Sequence, residues 1–303
     1  MKPVPVAFHI GPIEVHTYGI GLAITFWFAY RYFERRLRRH GYRTDWLVPL
    51  FLWVIAAAIV GARTLHVLSN LAYYRTAPSE ILAVWHGGLS SFGGLLFAVP
   101  TGIVVTRRRC PELPLMTALD LLAPVLAAAW AMGRLLGPQL MVAGGGHRTT
   151  QWFGMYYATQ PGRRLPVPIF QALEDFTIFV VLVLVERRLE RWPDGSPRTG
   201  YPSGALIGVG MVLWGIERAV DQRLWLSSSN NLGTSLVQVA GVALVVGGAV
   251  VLWRVRHRWR EWLLAGAPGG RGTPRATDAG DPEATTSPDP SDLRPATSVD
   301  GRT

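Results

Sequence analysis

The sequence predicts an all-α, polytopic membrane protein with about seven transmembrane helices, N-terminus outside and C-terminus inside. Three observations predict it. Hydrophobic residues make up 49% of the 303-residue chain and charged residues only 17%, below the ~25% usual for soluble domains. Apolar stretches of near-spanning length recur along the chain. Arginines collect after every second stretch, the pattern that marks cytoplasmic loops.

The first stretch, 17–33, is apolar until Arg31 and then enters "RYFERRLRRHGYR". The second, 46–68, is an aliphatic run broken by Arg63. The third, 91–106, is short and glycine-rich, which suggests a tilted or partly re-entrant segment, and it exits into "TRRRC". The fourth, 118–139, carries Arg134. The fifth, 168–185, exits into "ERRLERW". The sixth, 203–220, carries Arg218, and the seventh, 235–253, runs into "WRVRHRWR". Each odd stretch thus ends in a basic cluster, which fixes the orientation. These arginines also account for the net charge of +10 without a nucleic-acid partner. The start, "MKPVPVAFHIGPIEVHTYG", lacks the charged-then-apolar pattern of a cleavable signal peptide. Cys110 is the single cysteine, so neither a disulfide framework nor a cysteine zinc site is expected. From about residue 264 the chain turns to Gly, Pro, Ser, Thr, Asp and Arg. It divides into a transmembrane domain, 1–263, and a disordered cytoplasmic tail, 264–303.

Three outer loops are expected, 69–90, 140–167 and 221–234. The first ends in "VWHGGLSSFGGLL", whose glycine pairs Gly87-Gly88 and Gly93-Gly94 weaken helix and strand alike. Charged residues inside spans are costly, so Arg134 and Arg218, both toward the outer ends of even-numbered spans, stand out. Two readings apply: snorkelling to the interface, or a pair of guanidinium forks for an anionic head group. His86 and His147 are interfacial candidates, read first as surface hydrogen-bonding groups. No two histidines have helical metal-ligand spacing, and neither a metal nor a cofactor is expected.

Several stretches, taken in order, resemble the prolipoprotein diacylglyceryl transferase family. "HTYGIGLA" resembles its "WYGL" start, with Tyr18 and Gly19 in place. "VGARTLHVL" resembles its "GAR" segment, giving Gly61 and Arg63. "VWHGGLSSFGGLL" resembles "WxGGxSxHGGL", with Phe92 at the histidine position. "DLLAPVLAAAWAMGRLLG" matches Asp120, Pro124, Gly133 and Arg134 to "DxxAPxxxxGxxxGRxGN". "LPVPIFQAL" resembles "HPTPLYEAL", "WGIERAVDQ" places Arg218 on the family arginine of "YGxxRFxxE", and "TSLVQ" gives Gln238. The resemblance implies a multi-pass protein of the bacterial plasma membrane. It would move the diacylglyceryl group of phosphatidylglycerol onto the lipobox cysteine thiol in the signal segment of lipoprotein precursors. It assigns Arg134, Arg218 and Tyr18 to catalysis. Gly87, Gly88, Phe92, Gly93, Gly94, Gly133, Gln171, Gln222 and Gln238 fall to substrate binding.

The departures are specific. An ungapped match puts Gly137, Leu140 and Val142 where the family has Asn, Asn and Glu. Leu165, Phe170 and Gln171 replace His, Tyr and Glu, and Gln222 replaces a glutamate. The expectation is a site that keeps its arginines, loses its carboxylates, and is more cationic than in its relatives. A non-catalytic paralogue that binds anionic phospholipid or signal segments is the rival reading.

Overall fold

The structure, a computed structural model, describes residues 7–10, 13–83, 88, 90–190, 202–224 and 232–264. Expectations for His86, Gly87 and the tail from residue 265 fall outside these, as do the side chains of Phe92 and Gln222.

The chain is a helical bundle with two small hairpins. β1 (Ala7–Ile10) and β2 (Ile13–His16) pair antiparallel, with Ile10 opposite Ile13. Then come α1 (Thr17–Arg39), α2 (Leu47–Ser69), the short α3 (Leu71–Thr76), a 3₁₀ turn (Pro78–Leu82) and α4 (Ser91–Arg109). α5 (Leu115–Leu136) leads through a π turn (Gln139–Ala143) into the hairpin β3 (Met155–Tyr157) and β4 (Gln160–Arg164). α6 (Val167–Leu189), α7 (Ala205–Leu224) and α8 (Leu232–Leu264) complete the chain.

Among the described residues, four segments, Leu47–Ser69, Leu115–Val142, Val167–Leu189 and Gln238–Glu261, are long and apolar enough to cross a membrane. Large apolar side chains such as Trp27, Leu52, Leu96, Leu173 and Val239 point outward, as lipid-facing side chains do. The third stretch forms one helix that runs through Arg109. α1, α4, α6 and α8 all continue past their apolar windows into the basic clusters. Helical hydrogen bonding does not stop where hydrocarbon stops, and arginine is a good helix former. The sixth helix likewise extends to Leu224, so Asp221 belongs to α7 and not to an outer loop.

At the basic end, Phe33 and Leu37 of α1, Trp46, Leu47 and Leu50, and Leu121 and Val125 of α5 close around Cys110 and Leu113. Arg36 locks the same end: its guanidinium meets Glu186 of α6 at 2.8 and 2.5 Å, and its Nε donates to Leu121 O at 2.8 Å. A second core joins α5, α6 and α7 through Ala123, Ala127, Ile178, Leu182, Leu206 and Ile207. The alanines let the neighbouring helices come close. Asp120 of α5 accepts hydrogen bonds from the backbone N–H of Gly204 (2.7 Å) and Ile207 (2.8 Å). It thereby caps α7 from a neighbouring helix, satisfying donors that a helix start leaves orphaned.

α2 and α4 form a close pair. A Cβ on Gly61 would run into the Gly93 backbone and the Phe97 ring, and one on Gly93 into Gly61 and Leu65. Glycine on both sides is what lets the backbones touch. Gly88 has φ +72°, the left-handed region that glycine enters without a steric clash. The glycine-rich stretch therefore has one turn and one helix crossing to make. Arg63 of α2 secures it. Nε donates to Ile81 O (2.9 Å), Nη1 to Gly88 O (3.0 Å) and Nη2 to Glu80 O.

Candidate active site

The end of the bundle away from the basic clusters gathers the charges. Arg134 lies in the last turn of α5, Arg218 near the end of α7, and Gln171, Glu174 and Asp175 in the first turns of the antiparallel α6. Arg134 thus sits at a helix C-terminus, where the backbone dipole favours a cation.

Arg134 is buried. Its Nη1 donates to Gln139 Oε1 of the π turn at 2.7 Å, and its Nε stands 3.7 Å from Asp175 Oδ2. Asp175 is fully buried and accepts at Oδ1 from Trp214 Nε1 at 3.2 Å. Neither Arg134 Nε nor Asp175 Oδ2 makes a hydrogen bond among the described residues. A Cβ at Gly133 would meet nothing within 4 Å, so the helix face beside Arg134 borders open space.

Arg218 Nη2 bonds Glu217 Oε1 at 2.5 Å and Asp221 Oδ2 at 2.6 Å. Gln171 Nε2 donates to the same Asp221 oxygen at 2.8 Å. The two halves form one electrostatic unit: Arg134 feels Arg218, Asp175, Glu217 and Asp221, and Arg218 feels Asp175. Carboxylate oxygens of Glu174, Glu217 and Asp221 lie within 4.8 Å of one another, close enough to share a cation. The Arg218 guanidinium fills that role for Glu217 and Asp221.

These contacts correct the expected charge balance. The arginines keep carboxylate partners, because acids at other positions supply them: Asp175 one turn beyond Gln171, and Asp221 beside Gln222. Glu217, next to Arg218 in the sequence, reads there as an interfacial partner for a neighbouring cation, and the structure pairs it with Arg218 through the same Nη2 that holds Asp221. Gln139 likewise supplies a polar group after Arg134 where the ungapped match gave Gly137, Leu140 and Val142. The signal for Asp221 was present in the sequence: it lies three residues after Arg218, on the same helix face.

Tyr18 sits in the first turn of α1, its ring 5.0 Å from that of His16. Gly88 and Gly93 serve the α2–α4 region described above, and a Cβ on Gly94 would meet Ala58 O and Ala62 only at ordinary contact distance. Gln238 is exposed on α8, and His147 is exposed in the loop before β3. Above α6, Trp152, Phe153 and Met155 meet Pro166, Ile169 and Phe170 around an apolar cleft of ≈ 310 Å³. The cleft begins one residue before Gln171. Phe153 and Phe170 stack edge to face, 6.4 Å apart.

A family model described as prolipoprotein diacylglyceryl transferase matches residues 5–254. The phosphatidylglycerol–prolipoprotein diacylglyceryl transferase of Bacillus licheniformis is 32% identical over 281 residues, covering 85% of this chain and 94% of that protein. That of a Polaromonas species is 30% identical over 286 residues, covering 88% and 97%. That of Lactiplantibacillus plantarum is 27% identical over 274 residues, covering 87% and 94%. The match spans all the helices that build the charged cluster, so the chain belongs to the prolipoprotein diacylglyceryl transferase family and is a diacylglyceryl transferase enzyme.

Proposed function

We propose that the chain moves the diacylglyceryl group of phosphatidylglycerol to the lipobox cysteine thiol of lipoprotein precursors, as a multi-pass protein of the bacterial plasma membrane. The observation that carries this reading is the union of Arg134 and Arg218, from two helices, in one buried cluster with Asp175, Glu217 and Asp221. The reaction forms a bond from sulfur to the glyceryl carbon that bears the phosphate ester. The C–O bond breaks, and glycerol phosphate leaves with the bonding pair. Charge grows on that phosphate, and guanidinium forks held in place beforehand stabilise it without reorganising. The carboxylates hold the arginines ready while no phosphate is bound, which lowers the cost of burying them.

The thiol proton needs an acceptor. Asp175 is our choice: its Oδ2 makes no hydrogen bond among the described residues and stands 3.7 Å from Arg134 Nε. Tyr18 and Gly133 belong beside the reacting groups in this reading. Gly87, Gly88, Phe92, Gly93 and Gly94 border the entering lipid, and Gln171, Gln222 and Gln238 give polar lining. α1, α4 and α7, of 23, 19 and 20 residues, join the four most apolar helices as spans. That makes seven, with the basic ends cytoplasmic and residues 264–303 as a cytoplasmic tail.

The test is expression in cells depleted of their own transferase, following lipidation of a reporter precursor. Thioether-linked product is expected. Folded, membrane-inserted protein without product would sink the reading and leave a non-catalytic binder of anionic lipid.

A further inference from the structure

Gln171 links α6 to the arginine of α7. Both Gln171 and Asp221 are buried, at 4% and 1% exposure. One oxygen, Asp221 Oδ2, receives two donors: Gln171 Nε2 at 2.8 Å and Arg218 Nη2 at 2.6 Å. An ionised carboxylate only accepts, so the amide must present its nitrogen. We propose that Gln171 and Asp221 are a matched positioning pair for Arg218. Position 171 has to donate, position 221 has to carry the charge, and together they fix the direction of the guanidinium fork.

The alternative arrangements show why the identities are constrained. With only Glu217 as partner, Arg218 would keep one contact on its own helix and lose the anchor that ties it, through Asp221, to α6. With a carboxylate at 171, two acids would meet at hydrogen-bond distance away from water. Like charges that close cannot both ionise, so the pair would hold one proton and release it only as pH rises. The groups that surround Asp221 set how strongly. Arg218 and Glu217 face it from α7, Glu174 and Asp175 lie on α6, and Arg134 on α5. Two cations and three further acids do not remove the repulsion between two carboxylates in contact.

The test is a charge swap in the full chain: Gln171→Glu, Asp221→Asn, and both together. Each protein is measured from acid to alkaline pH in two ways. One is thioether formation on a reporter precursor, which rests on the transferase reading above. The other is retention of phosphatidylglycerol over phosphatidylcholine by detergent-extracted protein in native mass spectrometry, which does not. Gln171→Glu should lose about tenfold or more in both readouts at neutral and alkaline pH and recover toward acid, as the shared proton returns. Asp221→Asn should be impaired at every pH. The double variant moves the charge to position 171, which does not touch Arg218, and leaves at position 221 an amide whose nitrogen cannot accept from Nη2 while it donates to position 171. It should therefore stay as impaired as Asp221→Asn and lose the pH dependence of Gln171→Glu. Gln171→Met, of similar volume but without a donor, should weaken both readouts at every pH with no new pH dependence, and it keeps the proposal testable if Gln171→Glu does not fold. A purely packing role would give no such pH response and would leave Gln171→Met like the parent. A double variant or a Gln171→Met variant that matches the parent overturns the proposal, as does Gln171→Glu matching the parent at alkaline pH. A parent that retains the lipid but makes no product would sink the transferase reading, while the retention series still judges the pair.

Discussion

Arg134 and Arg218 each stand beside an acid in one buried cluster, and in the proposed reaction both meet the phosphate. Removing either costs a charge-assisted partner. Arg134→Ala and Arg218→Ala should each lower anionic-lipid retention roughly ten- to a hundredfold, measured by native mass spectrometry. Arg148→Ala, whose side chain is exposed in the outer loop, should change it far less. Equal retention in all three would reduce the arginines to interface anchors. Asp175→Asn keeps the shape and the Trp214 contact but removes the proton-accepting oxygen. Product formation should fall by about 10²-fold or more, while lipid retention stays within a few-fold; a variant as fast as the parent would move the base elsewhere. Cys110 offers a contrast among thiols. It is fully buried at the basic end, and burial, aided by Glu112, pushes it up to about 11 from 9.0. It therefore stays a neutral thiol at pH 7, and only the thiolate reacts readily. Alkylation at that pH should be slow in folded protein and fast after denaturation, as followed by intact mass.

Two element-scale contacts hold neighbouring helices together. The α2–α4 crossing depends on paired glycines at 61 and 93. Gly61→Leu would force the helices apart and should cost about 1–3 kcal/mol of stability, seen as a lower unfolding temperature in detergent. Asp120 caps α7 from α5. Asp120→Ala leaves the backbone N–H groups of Gly204 and Ile207 unpaired in a dry place, at about 1–3 kcal/mol. Because α7 carries Arg218, Glu217 and Asp221, that variant should lose site function together with stability. A fully stable Asp120→Ala would show that water replaces the cap.

The whole molecule has a polar axis. Arginine clusters occupy the end of the bundle that holds Arg36 and Glu186, and the buried charge cluster occupies the other. In the orientation proposed above, which rests on the positive-inside rule, the first end is cytoplasmic. A reporter active only outside the cytoplasm, fused after Trp253, should be silent; robust activity there would overturn the seven-span orientation.

The helices were legible in the sequence because each carries its own apolar run, a property read within a single stretch of about 20 residues. The two arginines were legible too, since a charge inside such a run stands out against it. The helix ends were less so: apolar windows stop at the basic clusters, whereas backbone hydrogen bonding carries on through them. The small hairpin β3–β4 and the turn of α3 lacked a pattern long enough to read. What only the tertiary structure decided is who faces whom. Asp175 answers to Arg134 across α5 and α6, Gln171 reaches Asp221 across α6 and α7, and Asp120 caps a helix 84 residues away. Position-by-position comparison found amides where acids were expected. It missed the charge one residue or one turn away because a charge balance is set by distance in space, and a helix brings residues three and four apart to the same face.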